Sequence, residues 1–134
     1  MRRIVFSLLF VSACQLQANP GLDPCPTGAT PQWQDVQPFF ENYCHRCHHS
    51  GIAGDQRGGA PILSNFDNAK MVDDAVTRIY WRSAHGRHSM PPAPPSPTAA
   101  ERKLLGDYLS CRFEALQNGE PNPPRQPKQG TLPR

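Results

Sequence analysis

The sequence lacks an apolar run long enough to cross a membrane. Its longest apolar stretch, IVFSLLFVSA at residues 4–13, would rise about 15 Å as a helix, which is half of a bilayer core. A large charge excess is missing too, because the formal net charge is +3. Without Arg2 and Arg3, 12 basic residues remain against 11 acidic ones. Nucleic-acid binding requires a strongly basic face, so this balance gives no reason to expect nucleic acid as a partner.

Strand signals and internal repeats are absent as well. Apolar residues instead recur at helical spacing in three stretches, residues 33–44, 65–83 and 98–116. The third stretch begins with Thr98 and Glu101, which have the spacing of a capping box. A chain of 134 residues has room for one small domain. We therefore predict an all-α fold with three main helices.

Glycine and proline mark the segments outside these helices. Residues 50–61 form a glycine-rich loop, and residues 85–97 form a proline-rich loop. Residues 14–32 are expected to be an extended lead-in. Residues 117–134 contain five prolines and one leucine, which predicts a disordered tail. The folded domain is accordingly expected over residues 33–116.

The N-terminus has the pattern of an export signal. Residues 1–13 combine a positive MRR start with an apolar stretch, and VSAC at residues 11–14 resembles a bacterial lipobox. The resemblance implies cleavage before Cys14, diacylglycerol on its sulfur and, with Gln15 next, an anchor in the outer membrane. The alternative is an ordinary signal cut after Ala18, which would place a leucine where a small residue is preferred. Both interpretations put the protein on the periplasmic side.

Export makes the cysteine count informative, because disulfides form in oxidising compartments. The chain has five cysteines. Cys14 is assigned to the lipid, and Cys44 and Cys47 belong to the motif described next. Cys25 and Cys111 remain, and we predict a disulfide between them. The alternative is a pair of unrelated free thiols.

The stretch CHRCH at residues 44–48 is typical of covalent haem attachment. Cys44 and Cys47 are spaced so that one helical turn can present both thiols to the two vinyl groups of a porphyrin, and His48 then lies beneath the iron. Zinc is an alternative, because His85 and His88 could complete a four-ligand site. A redox dithiol is another, but that chemistry is expected beside strands, which this sequence does not predict.

With these motifs, the chain resembles the class I c-type cytochromes, in particular small single-haem domains of exported bacterial proteins. The resemblance runs from about Trp33 to Cys111 and rests on three motifs: CHRCH at 44–48, APIL at 60–63 and MPP at 90–92. It implies one covalent haem c. It also implies that the carbonyl of Pro61 accepts a hydrogen bond from His48, although Ala60 stands where the family usually has glycine.

Three side chains are candidates for the sixth iron ligand. Met90 is followed by prolines that stiffen the backbone, so its thioether can be held at a low entropic cost. A methionine ligand would favour ferrous iron and raise the reduction potential. His88 and His85 are the alternatives, and either would lower it.

An iron held by protein on both sides leaves no position for a substrate, so we expect a one-electron carrier and not an enzyme. The segment between Asp74 and Glu101 contains no acidic residue. Its arginines, Arg78, Arg82 and Arg87, would attract an acidic redox protein as the partner, and the alternative is an ordinary solvated helix face. A small haem enzyme or ligand-binding protein with a labile sixth ligand remains an alternative. A zinc-binding lipoprotein is another.

Overall fold

Local hydrogen bonds determine where the first helix begins and how it ends. The computed structural model describes residues 21–86 and 88–120, and helix α1 spans Trp33–Phe39. The backbone N–H of Gln32 donates to the Asp35 carboxylate at 2.7 Å, which satisfies a group at the start of the helix. The chain then continues as a wider π-helical turn, Phe40–Cys44. This turn delivers the first cysteine of the CHRCH motif directly from a helix.

The middle of the chain forms two short helices where the sequence predicts one. Helix α2 spans Ala69–Asp73 and helix α3 spans Val76–Ile79, followed by a π-helical turn, Tyr80–Ala84. The side chain of Asn68 caps α2 by accepting the N–H of Met71 at 3.1 Å. The two helices are separated because the backbone of Ala75 leaves the helical region, with φ −130° and ψ 15°.

Helix α4 spans Ala99–Gln117 and is the longest element. Its capping box is present: Thr98 Oγ1 accepts the N–H of Glu101, and the Glu101 carboxylate accepts the N–H of Thr98 at 2.7 Å. The residues described contain four α-helices and no strand, so the all-α prediction is confirmed. The number of main helices differs from three only because the middle helix is divided.

The core lies where α4 packs against α1, α2 and α3. Its aromatic centre is Phe40, which is fully buried and whose ring lies 5.3 Å from Trp33 and 6.2 Å from Phe66. The fully buried aliphatic side chains come from α1, α2 and α4: Val36, Val72, Leu105 and Leu109. Met71 of α2 and Leu104 of α4 lie at helical spacing with these residues but outside the core, since Met71 is only half-buried and Leu104 is 38% exposed.

A buried ion pair joins α2 to α4. Arg112 donates to both carboxylate oxygens of Asp73, from Nε at 3.0 Å and from Nη2 at 2.8 Å. Both side chains are almost entirely buried. The two-pronged geometry compensates for the desolvation of the two charges, so the pair specifies the relative position of the two helices.

The lead-in segment is attached to the same helix. Cys25 and Cys111 form a disulfide in the structure, across 86 residues of sequence. The backbone N–H of Cys25 also donates to the carboxylate of Glu114 at 2.7 Å. These two contacts hold the extended lead-in against α4.

Several predictions fall outside the part of the chain that the structure describes. The signal segment, the lipobox and Cys14 lie within residues 1–20, and most of the predicted tail lies within residues 121–134. Among the residues that are described, no helix has both the length and the apolar character needed to cross a bilayer.

Candidate haem site

One turn of backbone places the CHRCH side chains together. The carbonyl of Cys44, at the end of the first π-helical turn, accepts the N–H of Cys47 at 3.1 Å and the N–H of His48 at 2.8 Å. Both bonds close helical turns, so the side chains of all three residues face one side. They line a single cavity of about 490 Å³.

This cavity has a size and a lining that suit a bound cofactor. Its volume lies within the range of about 300–1,000 Å³ that is typical of cofactor sites. Its walls are mainly apolar and include Phe66, Ile79, Pro91 and Met90. Gly58 has a positive φ of 54°, and a Cβ atom there would lie 3.3 Å from the sulfur of Cys47. Thiols, an imidazole and a thioether around one apolar cavity are the donor set of a c-type haem.

The ring of His48 is oriented from two sides. Its Nδ1 atom lies 2.8 Å from the carbonyl oxygen of Ser64, and its ring stacks on Phe66 with centroids 4.7 Å apart. A bond donated from Nδ1–H leaves Nε2 as the nitrogen with a free lone pair, which is the form that binds a metal. Phe66 is itself held, because its N–H donates to the carbonyl of His48 at 2.9 Å.

The charges around His48 favour its neutral form. Burial lowers its pKa, the hydrogen bond to Ser64 opposes this effect, and the positive charges of Arg57, Arg78 and Arg82 lower the pKa further. The imidazole is therefore unprotonated at neutral pH and available as a ligand.

The partner of His48 corrects one prediction. The resemblance implies the carbonyl of Pro61, but the structure places the carbonyl of Ser64 against Nδ1. The Pro61 carbonyl instead accepts the N–H of Ser64 at 2.9 Å and Nη2 of Arg57 at 2.8 Å. Because residues 61–64 form a turn, the carbonyl that reaches the histidine is three residues further along the chain.

The surroundings of Cys44 do not favour a thiolate. Burial raises the pKa of Cys44 to about 12, and the positive charge of Arg46 only partly opposes this rise. At neutral pH Cys44 is therefore an uncharged thiol and not the attacking thiolate of a redox dithiol. The strands expected beside such a motif are also absent from residues 21–86 and 88–120.

The two alternative histidine ligands lie around a different cavity. His85 and His88 line a space of about 290 Å³ together with Asp23, Tyr80 and Arg102. The ring of His85 stacks on Tyr80, with centroids 5.4 Å apart, and its Nε2 is 3.8 Å from the Asp23 carboxylate.

The distance of His85 and His88 from the cysteines argues against the zinc site and against a bis-histidine iron site. The alternative zinc site of Cys44, Cys47, His85 and His88 is not assembled, and the described residues contain no group of three or more His, Cys, Asp or Glu side chains placed to hold a metal ion. A bis-histidine iron site would need His85 or His88 at the larger cavity, and neither lines it.

Met90 lines the larger cavity, and its backbone is held by two arginine residues. Its N–H donates to the carbonyl of Arg82 at 2.9 Å. Its carbonyl accepts Nη1 of Arg102 at 3.1 Å, and the same Nη1 also donates to the carbonyl of Ser83. The loop is therefore positioned by π-helical turn 80–84 and by α4, and not by proline stiffness alone.

Arg46 also belongs to the site, although its sequence position does not predict this role. It lies between the two cysteines of the motif, and its guanidinium donates to the carbonyls of Ala93 at 3.0 Å and Pro94 at 2.7 Å. It thereby links the attachment motif to the loop that carries Met90. Nothing in the local sequence identifies this contact, because its acceptors are backbone atoms 47 and 48 residues away.

Comparison with known proteins identifies the family. The protein-family model described as Cytochrome C oxidase, cbb3-type, subunit III matches residues 31–109, a segment that contains the CHRCH motif and Met90. No curated protein and no solved structure matches the chain. The matched segment covers more than half of the 134 residues. The chain therefore belongs to this family, and its folded domain is a c-type cytochrome domain that binds one haem c covalently.

Proposed function

We propose that this protein carries single electrons outside the cytoplasm, with the haem bonded to Cys44 and Cys47 and the iron held by His48 and Met90. The observation that carries the proposal is that these four side chains line one cavity. The competing ligands, His85 and His88, line another. The family supports haem-based electron transfer as the general activity.

Haem c supplies one-electron exchange at its iron, and the chain supplies the surroundings. The tautomer of His48 presents Nε2, and Ser64 and Phe66 keep the ring from rotating. The Met90 thioether would stabilise ferrous iron relative to a histidine ligand. If His48 and Met90 both held the iron, no position on it would remain for a substrate, which favours a carrier over an enzyme.

The partner we propose is an acidic redox protein. Arg46, Arg78 and Arg82 line the cavity and are exposed, while Arg87 lies outside the described residues. Exposed cations at the site of electron exchange attract a negatively charged surface and accelerate encounter. Weak and short-lived docking is expected of such complexes.

The ligand assignment is tested by the absorbance spectrum of the protein matured in a haem-attaching host. The wild type is expected to be six-coordinate and low-spin, with a methionine-to-iron band. Met90→His should remove this band, remain low-spin and lower the reduction potential, because imidazole favours ferric iron more than a thioether does. Met90→Ala should remove the band and become high-spin.

Met71→Leu is the matched control. Met71 is half-buried in α2 and does not line the cavity, so its replacement should leave both spectrum and potential unchanged. A wild-type band that survives in Met90→Ala would show that Met90 is not the ligand. A colourless wild type would refute the proposed function altogether.

We also propose that a lipid on Cys14 tethers the protein to the outer membrane from the periplasmic side. Two acyl chains anchor a protein stably, whereas one gives only marginal binding. Cys14→Ser is therefore expected to move the protein from the membrane pellet to the soluble fraction, with an unchanged haem spectrum. The measurement is the distribution of haem absorbance after fractionation. An unchanged pellet fraction would contradict the lipid anchor.

A further inference from the structure

A buried arginine lies close to His48. Arg57 ends a short 3₁₀ turn, Gly54–Arg57, in the glycine-rich loop, and it is only 5% exposed. A cation is costly to bury unless its hydrogen-bonding groups are satisfied. The burial of Arg57 therefore requires hydrogen-bond acceptors around its guanidinium.

The loop supplies that structure from its own backbone. The guanidinium of Arg57 donates to five backbone carbonyls and one side-chain amide oxygen. The acceptors are the carbonyls of His49 at 3.0 Å, Ile52 at 3.1 Å, Ala60 at 3.1 Å, Pro61 at 2.8 Å and Ser64 at 3.4 Å, and Oδ1 of Asn65 at 2.9 Å. One side chain thus joins both ends of the loop that follows the CHRCH motif.

Every one of these acceptors is a neutral oxygen. Among the residues the structure describes, no carboxylate forms an ion pair with Arg57. Because guanidinium keeps its charge at all accessible pH values, a full positive charge remains in a poorly solvated place. Arg57 also lines the cavity that His48 and Cys47 line.

The carbonyl of Ser64 connects this arginine to the iron ligand. It lies 2.8 Å from His48 Nδ1 and 3.4 Å from Arg57 Nη2. The neighbours of Ser64 in the turn, Pro61 and Asn65, are held more tightly by the same guanidinium nitrogen, at 2.8 and 2.9 Å. The position of the carbonyl that orients His48 is therefore set by Arg57.

We propose that Arg57 is a positioning residue for His48 and that its buried charge raises the reduction potential of the haem iron. The proposal rests on the proposed function, because it requires His48 as the iron ligand. Ferric iron carries one more positive charge than ferrous iron, so a nearby fixed cation disfavours the ferric form. The effect is large in a poorly solvated site because screening by water is weak.

Two substitutions separate the charge from the hydrogen bonds. Arg57→Gln removes both the charge and most donors, and we expect about a tenfold shift of the equilibrium with a one-electron mediator toward the ferric form, equivalent to about 59 mV. Arg57→Lys keeps the charge but loses the planar fork. Its potential should fall clearly less than that of Arg57→Gln, although both variants should unfold at lower denaturant concentration.

An unchanged potential in Arg57→Gln would overturn the proposal, and so would equal shifts in the two variants. If neither variant matures, hydrogen exchange in the reduced wild-type holoprotein tests whether the loop encloses the Arg57 guanidinium. The Nε–H of Arg57 should exchange at least about tenfold more slowly than that of exposed Arg78, since exchange requires the loop to open. Equal exchange rates at Arg57 and Arg78 would show that the guanidinium of Arg57 is not enclosed, and would overturn the proposal.

The two proposals fail differently. A wild-type spectrum without the methionine-to-iron band contradicts the ligand set of the proposed function. A normal wild-type spectrum combined with an unchanged potential in Arg57→Gln contradicts only the role of Arg57.

Discussion

His48→Ala is expected to reduce the yield of covalent holoprotein by at least about tenfold, because even the loss of a partner of a metal ligand costs 10- to 100-fold in affinity or activity. The substitution removes the imidazole that the CHRCH motif presents to the cavity, and with it the ring that stacks on Phe66. The measurement is haem absorbance per unit of protein after maturation. Added imidazole should restore part of the low-spin spectrum in whatever holoprotein remains.

The CHRCH region provides its own controls. His45 lies within the motif and His49 follows it, but neither lines the cavity. His45 Nε2 instead lies 3.0 Å from the carbonyl of Phe66, and His49 Nδ1 accepts the N–H of Gly51 at 2.9 Å. Replacing either by alanine should leave the spectrum unchanged. A wild-type spectrum and yield in His48→Ala would mean that another side chain holds the iron.

Loss of the disulfide is expected to have the second large effect. In the chain-entropy model, closing a loop of 86 residues contributes about 4–5 kcal/mol, and measured losses are about 2–5 kcal/mol. The double variant Cys25→Ser and Cys111→Ser should therefore unfold at a much lower urea concentration while its haem spectrum stays normal. Unfolding of the holoprotein, followed by absorbance and by circular dichroism, gives the difference in free energy of unfolding.

Wild-type protein treated with a reductant is the matched comparison, because it has the same sequence without the bond. It should unfold at nearly the same urea concentration as the double variant. If the oxidised wild type and the double variant unfold together, or if both thiols of the oxidised protein react with an alkylating agent, the bond is absent in solution.

The prediction of helices succeeded where short-range hydrogen bonds decide the outcome. The capping box of α4 depends on Thr98 and Glu101 alone, three residues apart, so the sequence was sufficient. The division between α2 and α3 was missed, because Val72, Val76 and Ile79 remain at helical spacing across the break and are all buried. Periodicity reports which face is buried and not whether the backbone is continuous.

In the site, too, predictions that depend on local spacing succeeded, and those that depend on how a loop folds did not. The motif at residues 44–48 groups its side chains through one helical turn, and local spacing is enough to foresee this. The choice between Pro61 and Ser64 as the partner of His48 depends on how the glycine-rich loop turns, and that loop is organised around Arg57. Charged residues are normally exposed, so an arginine in a glycine-rich loop gives no sign of being buried.

The amino-acid sequence alone determined the helical class, the haem attachment motif and Met90 as the leading candidate for the sixth ligand, because each depends on residues close together in the chain. Only the tertiary structure decided which groups meet across long separations. It places Met90 at the haem cavity and His85 and His88 at the smaller cavity. It also brings Arg46 to the proline-rich loop and Arg57 to the Ser64 carbonyl beside His48. The physical reason is that these contacts are made largely to backbone carbonyls, which every residue carries, so the sequence holds no mark of which carbonyl is chosen.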